Sequence, residues 1–106
     1  MISIGDKAPE FNVSINGGAQ FTLADAAGKN LVLYFYPKDD TPGCTKEAIS
    51  FSENLDTFKD QNTVILGISR DTASKHDKFI TKFDLRINLI SDEDGSLCEA
   101  FGTWVE

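Results

Sequence analysis

The sequence predicts an α/β fold built on a strand–helix–strand unit, and three features carry that expectation. Two short, continuous apolar runs, residues 31–36 (LVLYFY) and 63–68 (TVILGI), read as strands, the first of them a central strand buried on both faces. Between them Cys44, Ala48, Phe51, Leu55 and Phe58 recur at spacings of four and three, the stripe of an amphipathic helix. Strand, helix and strand in this order form a right-handed βαβ unit with parallel strands.

Ahead of that unit, residues 11–23 (FNVSINGGAQFTL) alternate loosely around Asn16-Gly17. That dipeptide favours a hairpin turn because both residues tolerate positive φ. Residues 24–29 make a small polar connection. The first apolar run ends at Pro37, and the loop PKDDTPG leads into the helix. Thr41 is placed to act as N-cap, and Pro42 fits the first helical position, where its missing N–H would be unpaired in any case. Beyond the second strand, a helix begins near Asp71 or Thr72, with His76, Phe79, Ile80 and Phe83 on its inner stripe. A short strand over 88–90, a turn at SDEDG and a short helix to about Phe101 complete the pattern. The last residues, GTWVE, stop in mid-element, and Trp104 reads as core or interface.

The 106 residues leave room for one small domain, expected to span 1–106. Hydrophobic residues make up 41% and charged residues 25%, a globular composition. No apolar window of about 18 residues exists, so no membrane span is expected. The start, MISIGDKAPE, lacks the basic end and apolar stretch of a signal peptide, and the expected location is the cytoplasm. A net charge of −7 argues against nucleic acid and anionic membranes as partners. No phosphate-binding glycine loop is present, since Gly28-Lys29 lacks its upstream glycine. Two cysteines are too few for a disulfide scaffold or a four-thiolate zinc site. His76 has no acidic partners at metal spacing and reads as a partly buried packing residue. Asp92-Glu93-Asp94 lacks the ligand ladder of a calcium loop and reads as a turn and helix N-cap. Neither metal nor cofactor is expected.

The chemistry is expected at Cys44, in the first turn of a helix that follows a strand. Sites in α/β folds lie outside the carboxyl ends of strands. The first turn offers unpaired N–H groups and the positive end of the helix dipole, which favour a thiolate over a thiol. Thiolates so placed have pKa values lowered from ~8.5 to ~3.5–7.5. The stripe turns the sulfur inward beside Ala48 and Phe51, which suits a small uncharged substrate such as a peroxide. Thr41, three residues earlier, offers a hydroxyl to the thiol or to a bound oxygen. Pro37 and Pro42 stiffen the loop. Read without its neighbours, a cysteine at a helix start is as readily a small buried hydrophobe.

The neighbours decide between these. The motif Pro37-x-x-x-Thr41-x-x-Cys44, within YFYPKDDTPGCTKEA, resembles the active-site loop of the peroxiredoxins. GDKAPEF, LGISRD and SDEDGSLCEAFGTW extend the likeness over almost the whole chain, closest in character to the bacterioferritin-comigratory, or Q-type, subfamily. The resemblance implies a thioredoxin-like core with an N-terminal β-hairpin. It implies a thiol-dependent peroxidase that reduces hydrogen peroxide and organic hydroperoxides in antioxidant defence. Cys44 would be the attacking thiol. Thr41 would hydrogen-bond the peroxide, and Pro37 would shield the thiolate. The N–H groups of Gly43 and Cys44 would hold the substrate, and Glu47 would support the hydrogen bonding. A thioredoxin-like protein or a small thiol would be the reductant.

Two departures from the pattern stand out. Many Q-type members carry a resolving cysteine five residues after the attacking one, and here that position is Ile49. Cys98 is the one other thiol: a buried helix residue, or a resolving cysteine within or between chains. Alternatively an external thiol attacks the sulfenic acid directly. The second departure is the C-terminal end. The family core continues into further strands and a helix, one strand lying beside the match of residues 31–36, and supplies an active-site arginine from there. Arg70, after a strand end, reads first as a solvated loop charge and second as a group facing the site. The expectation is a C-terminally incomplete core, self-associating or completed by another chain. A peroxide sensor or a fragmentary thioredoxin-like module without full turnover is the alternative function.

Overall fold

A computed structural model describes residues 5–102. The N-terminal hairpin pairs β1 (Asn12–Ser14) with β2 (Gln20–Thr22) in antiparallel register. Its turn is a single 3-10 turn, Asn16–Gly18, in which Gly17 and Gly18 take positive φ of 80° and 85°. Asn16 does not take positive φ. Its side-chain oxygen instead accepts from the N–H of Leu89 at 2.8 Å, tying the turn to the main sheet. A second 3-10 turn, Leu23–Ala26, forms the connection to β3 (Asn30–Phe35).

The main sheet has the order β3-β4-β5, with β4 (Thr63–Ser69) parallel to both β3 and β5 (Asn88–Ser91). Between β3 and β4 lie α1 (Pro42–Glu53) and α2 (Leu55–Asp60). The expected single helix breaks at Asn54, whose side-chain amide donates to the Ser50 carbonyl at 2.8 Å. The Asn54 backbone N–H donates to the same carbonyl at 3.2 Å, and its φ of −99° and ψ of 9° end the helix there. Helix α3 (Ala73–Phe83) connects β4 to β5, capped by the Thr72 hydroxyl accepting from the Lys75 N–H. The short α4 (Ser96–Ala100) follows β5. Asp92 takes up its first N–H groups, accepting from Leu97 and Cys98 at 2.9 Å each, although the N-cap residue itself is Gly95, one past the expected Asp92–Asp94 segment.

Alternation along the strands divides the core in two. Val32, Tyr34, Tyr36, Ile65 and Leu89 face α1, α2 and α3. Leu31, Leu33, Phe35, Leu66, Ile68 and Ile90 face the hairpin and α4. Gly67 is required on the first face: a Cβ there would lie 2.7 Å from the phenol end of Tyr34 and 2.8 Å from Leu89. Among the described residues β4, not β3, is the central strand. Most of β4 is buried, whereas β3 is half-buried or exposed throughout. The expectation that residues 31–36 are buried on both faces is therefore corrected. No described element pairs with the outer edge of β3, so its apolar run stays half-buried.

Candidate functional site

The site forms where β3 ends. Tyr36 still joins the ladder, donating to the Ile68 carbonyl at 3.0 Å, and the chain then leaves the sheet at Pro37. Asp40 takes a left-handed conformation, φ 59°, one that aspartate tolerates better than most residues. This reverses the chain toward Thr41, whose extended backbone and carbonyl, accepting from the Thr45 N–H at 2.8 Å, open α1. Cys44 is the third residue of α1. It is half-buried and packed against the helix-facing core. Its amide lies in the first turn, where N–H groups lack intrahelical partners and the positive end of the helix dipole lies.

Pro37, Thr41, Gly43 and Cys44 thus share one loop and one helical turn. Pro37 and Gly43 are exposed, and Glu47 lies exposed one turn further along α1. Thr41 is the N-cap residue by backbone, but its side chain makes no cap bond; the hydroxyl donates to the Lys38 carbonyl at 3.2 Å. Its expected role as a side-chain cap is corrected, which leaves that oxygen's lone pairs uncommitted to the helix.

A group of buried polar side chains beneath the loop was not anticipated. Asp39 accepts from the Tyr36 hydroxyl at 2.5 Å through one carboxylate oxygen and faces His76 Nδ1 at 2.6 Å through the other. Its backbone N–H donates to Asp71 at 2.7 Å, and the same Asp71 oxygen accepts from Ser69 Oγ at 2.8 Å. His76 Nε2 lies 2.9 Å from the Ile90 carbonyl. Burial pulls the His76 pKa down. The hydrogen bond and charge of Asp39, the Ile90 carbonyl and the charge of Asp71 together outweigh it, and the net shift is upward from 6.5. Burial first, then the Asp39 hydrogen bond and charge, pushes the Tyr36 phenol well above its ordinary range. The expectation of a partly buried packing residue without acidic partners is corrected: His76 is fully buried, and one donor atom each of Asp39, Asp71 and His76 falls within 4.8 Å of the others. Hydrogen bonds within the chain engage all three. The signal available in sequence was the polar His76 on an otherwise apolar stripe.

Cys98 lies on the other side of the sheet. It is 7% exposed and belongs to the core between the sheet, the hairpin and α4. Arg70 is exposed, and its guanidinium donates to the Glu93 carbonyl at 3.2–3.3 Å, in the turn before α4. Trp104 and the rest of GTWVE beyond Gly102 lie outside the described residues.

The profile of the AhpC/TSA family matches residues 4–106. The chain belongs to that family. Peroxiredoxin Bcp of Bacillus subtilis (strain 168) is 45% identical over 103 residues, covering 97% of this chain and 66% of the relative. Peroxiredoxin Bcp of Escherichia coli (strain K12) is 42% identical over 105 residues, covering 99% and 67%. Among solved structures, a mutant PrxQ of Xylella fastidiosa superposes with a TM-score of 0.88 at 41% identity, over 91% of this chain and 60% of that one. The bacterioferritin comigratory protein of Xanthomonas campestris, solved as trapped intermediate and ligand complexes bearing on its alkyl peroxide reduction, superposes with a TM-score of 0.84 at 46% identity, over 87% and 59%. The fold is the thioredoxin-like α/β arrangement of these peroxiredoxins. The chain spans 66–67% of the length of the two curated relatives and 59–60% of the two solved chains.

Proposed function

We propose that the chain carries the peroxide-reducing site of a Bcp-type peroxiredoxin, with Cys44 as the attacking thiolate. The observation that supports this best is the position of Cys44, half-buried in the first turn of α1 at the carboxyl end of β3. The thiolate attacks one oxygen of a hydroperoxide in line with the O–O bond. A sulfur–oxygen bond forms and the O–O bond breaks. The electron pair leaves with the second oxygen, which takes a proton and departs as water or an alcohol. The sulfur ends as a sulfenic acid, the reversible first stage of thiol oxidation. Thr41 supplies a hydroxyl to the bound oxygen. The N–H groups of Gly43 and Cys44 stabilise the charge that develops there. Pro37 covers the thiolate, and Glu47 supports the hydrogen bonding from the next turn of α1.

A second thiol then condenses with the sulfenic acid, releasing water, and a further thiol reduces the disulfide. With Cys98 across the sheet from Cys44, a resolving disulfide between them would need Cα atoms brought within about 7 Å around or through the core. The arrangement favours an external reductant, a small thiol or a thioredoxin-like protein in the cytoplasm, over Cys98. The test is the mass of the Cys44 peptide after one equivalent of hydrogen peroxide, followed by turnover in excess thiol. One added oxygen on Cys44, continued turnover and complete loss in Cys44→Ser are expected. A single stoichiometric oxidation without turnover identifies a peroxide sensor instead. Activity that survives Cys44→Ser overturns the assignment.

A further inference from the structure

Asp39 is the most firmly held residue of the loop that carries Pro37, Thr41 and Gly43. Through its two carboxylate oxygens and its N–H it is bonded to Tyr36 at the end of β3, to Asp71 after β4 and to His76 on α3. His76 extends the chain to β5 through the Ile90 carbonyl. The next residue, Asp40, is the left-handed turn that aims the chain into α1. A shift at Asp39 would therefore be passed directly to Thr41 and the first turn at Cys44.

The hydrogen bonds fix the protons. The Ile90 carbonyl only accepts, so His76 Nε2 carries a hydrogen. Nδ1 lies 2.6 Å from an oxygen of Asp39. A neutral ring, with its one hydrogen on Nε2, would set the Nδ1 lone pair against the carboxylate. The contact holds only with a proton between the two, and the upward shift of His76 from 6.5 places that proton on Nδ1, as an imidazolium–carboxylate pair, which is among the stronger classes of hydrogen bond. We propose that the Asp39–His76 pair is a latch that positions the active-site loop for attack at Cys44, and that loss of its proton releases the loop. The inference rests on the peroxidase reading given above and adds the residues that hold its site in shape.

The groups facing the pair agree with this. Asp71 lies on the β4–α3 connection and Tyr36 at the end of β3, bonded to the same carboxylate. From β5 the contact is a backbone carbonyl, and the turn Asn16–Gly18, packed on α3, carries no ionisable side chain. On α3, Lys75 and Asp77 flank His76 and are exposed, and Lys75, Lys78 and Lys82, with Lys38 and Asp40 of the loop, line the cavity beside Asp39 and Asp71, Lys82 being paired with Asp40. The raised pKa of His76 means that the proton stabilises the folded chain. That stabilisation is complete below the ordinary value of 6.5 and is lost as pH rises through the higher folded-state value.

The chain has one histidine, so a nitrogen-15 NMR titration of His76 needs no assignment. Both ring nitrogens should be protonated below the midpoint, which should lie above 6.5. The second-order rate constant of Cys44 with hydrogen peroxide, divided by the thiolate fraction from ultraviolet absorbance, should fall as pH rises through that midpoint. Asp39→Ala should lower the constant roughly ten- to a hundred-fold at every pH. Asp39→Asn can accept from Tyr36 and donate to a neutral His76, so it should recover to within about threefold of the parent and lose the alkaline fall. A ring midpoint at or below 6.5, or an Asp39→Ala variant with the parent's rate and pH profile, overturns the proposal. Should Asp39→Ala fail to fold, the parent decides: no decline in the corrected constant at the His76 midpoint counts against the latch. If the parent reacts with peroxide no faster than free cysteine, the peroxidase reading fails. The latch is then judged by the state of the His76 ring and by Cys44 alkylation rates, neither of which needs peroxide.

Discussion

The two faces of the main sheet use the same strands and bury them in opposite ways. Toward the hairpin and α4, the sheet presents Leu31, Leu33, Phe35, Leu66, Ile68 and Ile90, closed by Leu97 and Cys98. Toward α1 and α3 it presents Tyr34, Tyr36 and Ser69, closed by Cys44, Ser52, Asp71 and His76 among apolar neighbours. Buried polar groups cost stability unless each is hydrogen-bonded. On the helix-facing side the cost is met by specific partners: Ser52 Oγ accepts from the Arg86 N–H, and Asp39 ties Tyr36 to His76. One thiol, Cys44, is half-buried at the start of a helix near these polar groups, and the other, Cys98, is buried in the apolar face, a difference that can be broken experimentally.

The largest expected effect is on thiol accessibility. Limiting iodoacetamide at mildly acidic pH should modify Cys44 before Cys98 in the folded chain. Cys98, 7% exposed, has to wait for an opening of its core. An opening free energy near the low end of global stability, ~5 kcal/mol, gives a selectivity on the order of a thousand-fold. In denaturant the preference should collapse to near parity. Equal labelling of both thiols in the folded chain would erase the distinction between the faces.

A smaller effect, confined to the reactive face, is expected of Thr41→Val. The substitution keeps size and branching and removes the hydroxyl. Loss of one hydrogen bond to a developing charge costs ~2.7–4 kcal/mol, roughly a hundred-fold or more in rate. Because the Thr41 side chain makes no cap bond, the stability loss of about 1 kcal/mol usual for a lost N-cap should not appear. Peroxide reactivity within a factor of two of the parent, measured by stopped flow, would reduce Thr41 to a backbone cap.

How much of this was readable in advance follows from the range of the interactions. The parallel strands, the presence of the hairpin, the helix after β4 and the helix start at Pro42 follow from patterns along the chain and stand as read, whereas the Thr72 cap and the conformation of Asn16 were not read. The runs LVLYFY and TVILGI look alike in sequence, but strand order decides which is central, and that depends on pairing elsewhere. The break at Asn54 is a backbone departure, φ −99° and ψ 9°, at a residue whose amide and side chain both bond the Ser50 carbonyl, and the apolar stripe runs through it unchanged. At the site, the loop and the place of Cys44 in the first turn of a helix were legible from spacing, while the reactive role of Cys44 came from the family resemblance and rests on the tests above. The Asp39–His76 pair was not, because 37 residues separate its members. A histidine on an apolar stripe carries no mark of which distant carboxylate it will meet.

The smallest effect tests one of two buried side-chain polar ends, Tyr34 and Ser91, that have no partner among the described residues. The Tyr34 hydroxyl is buried with no hydrogen bond, above Gly67, its ring stacked 4.7 Å from Phe51 and 5.5 Å from Tyr36. Burial first, then the charges of Glu47, Asp39 and Cys44, raises its pKa far above the ordinary phenol range, so it stays neutral at any working pH. Tyr34→Phe keeps the ring and both stacking contacts and removes only the unpaired oxygen. Relief of an unsatisfied buried group is worth ~1–3 kcal/mol, and loss of packing around the missing atom offsets part of it. The expected result is a gain of about 1 kcal/mol, read as a rise of roughly 4–8 °C in Tm for a chain of this size. The rate of Cys44 with peroxide should not change. A fall in stability would mean that the hydroxyl has a partner. A slower reaction at unchanged stability would mean that Tyr34 acts on the peroxide, and that the reactive group extends from the loop into β3 itself.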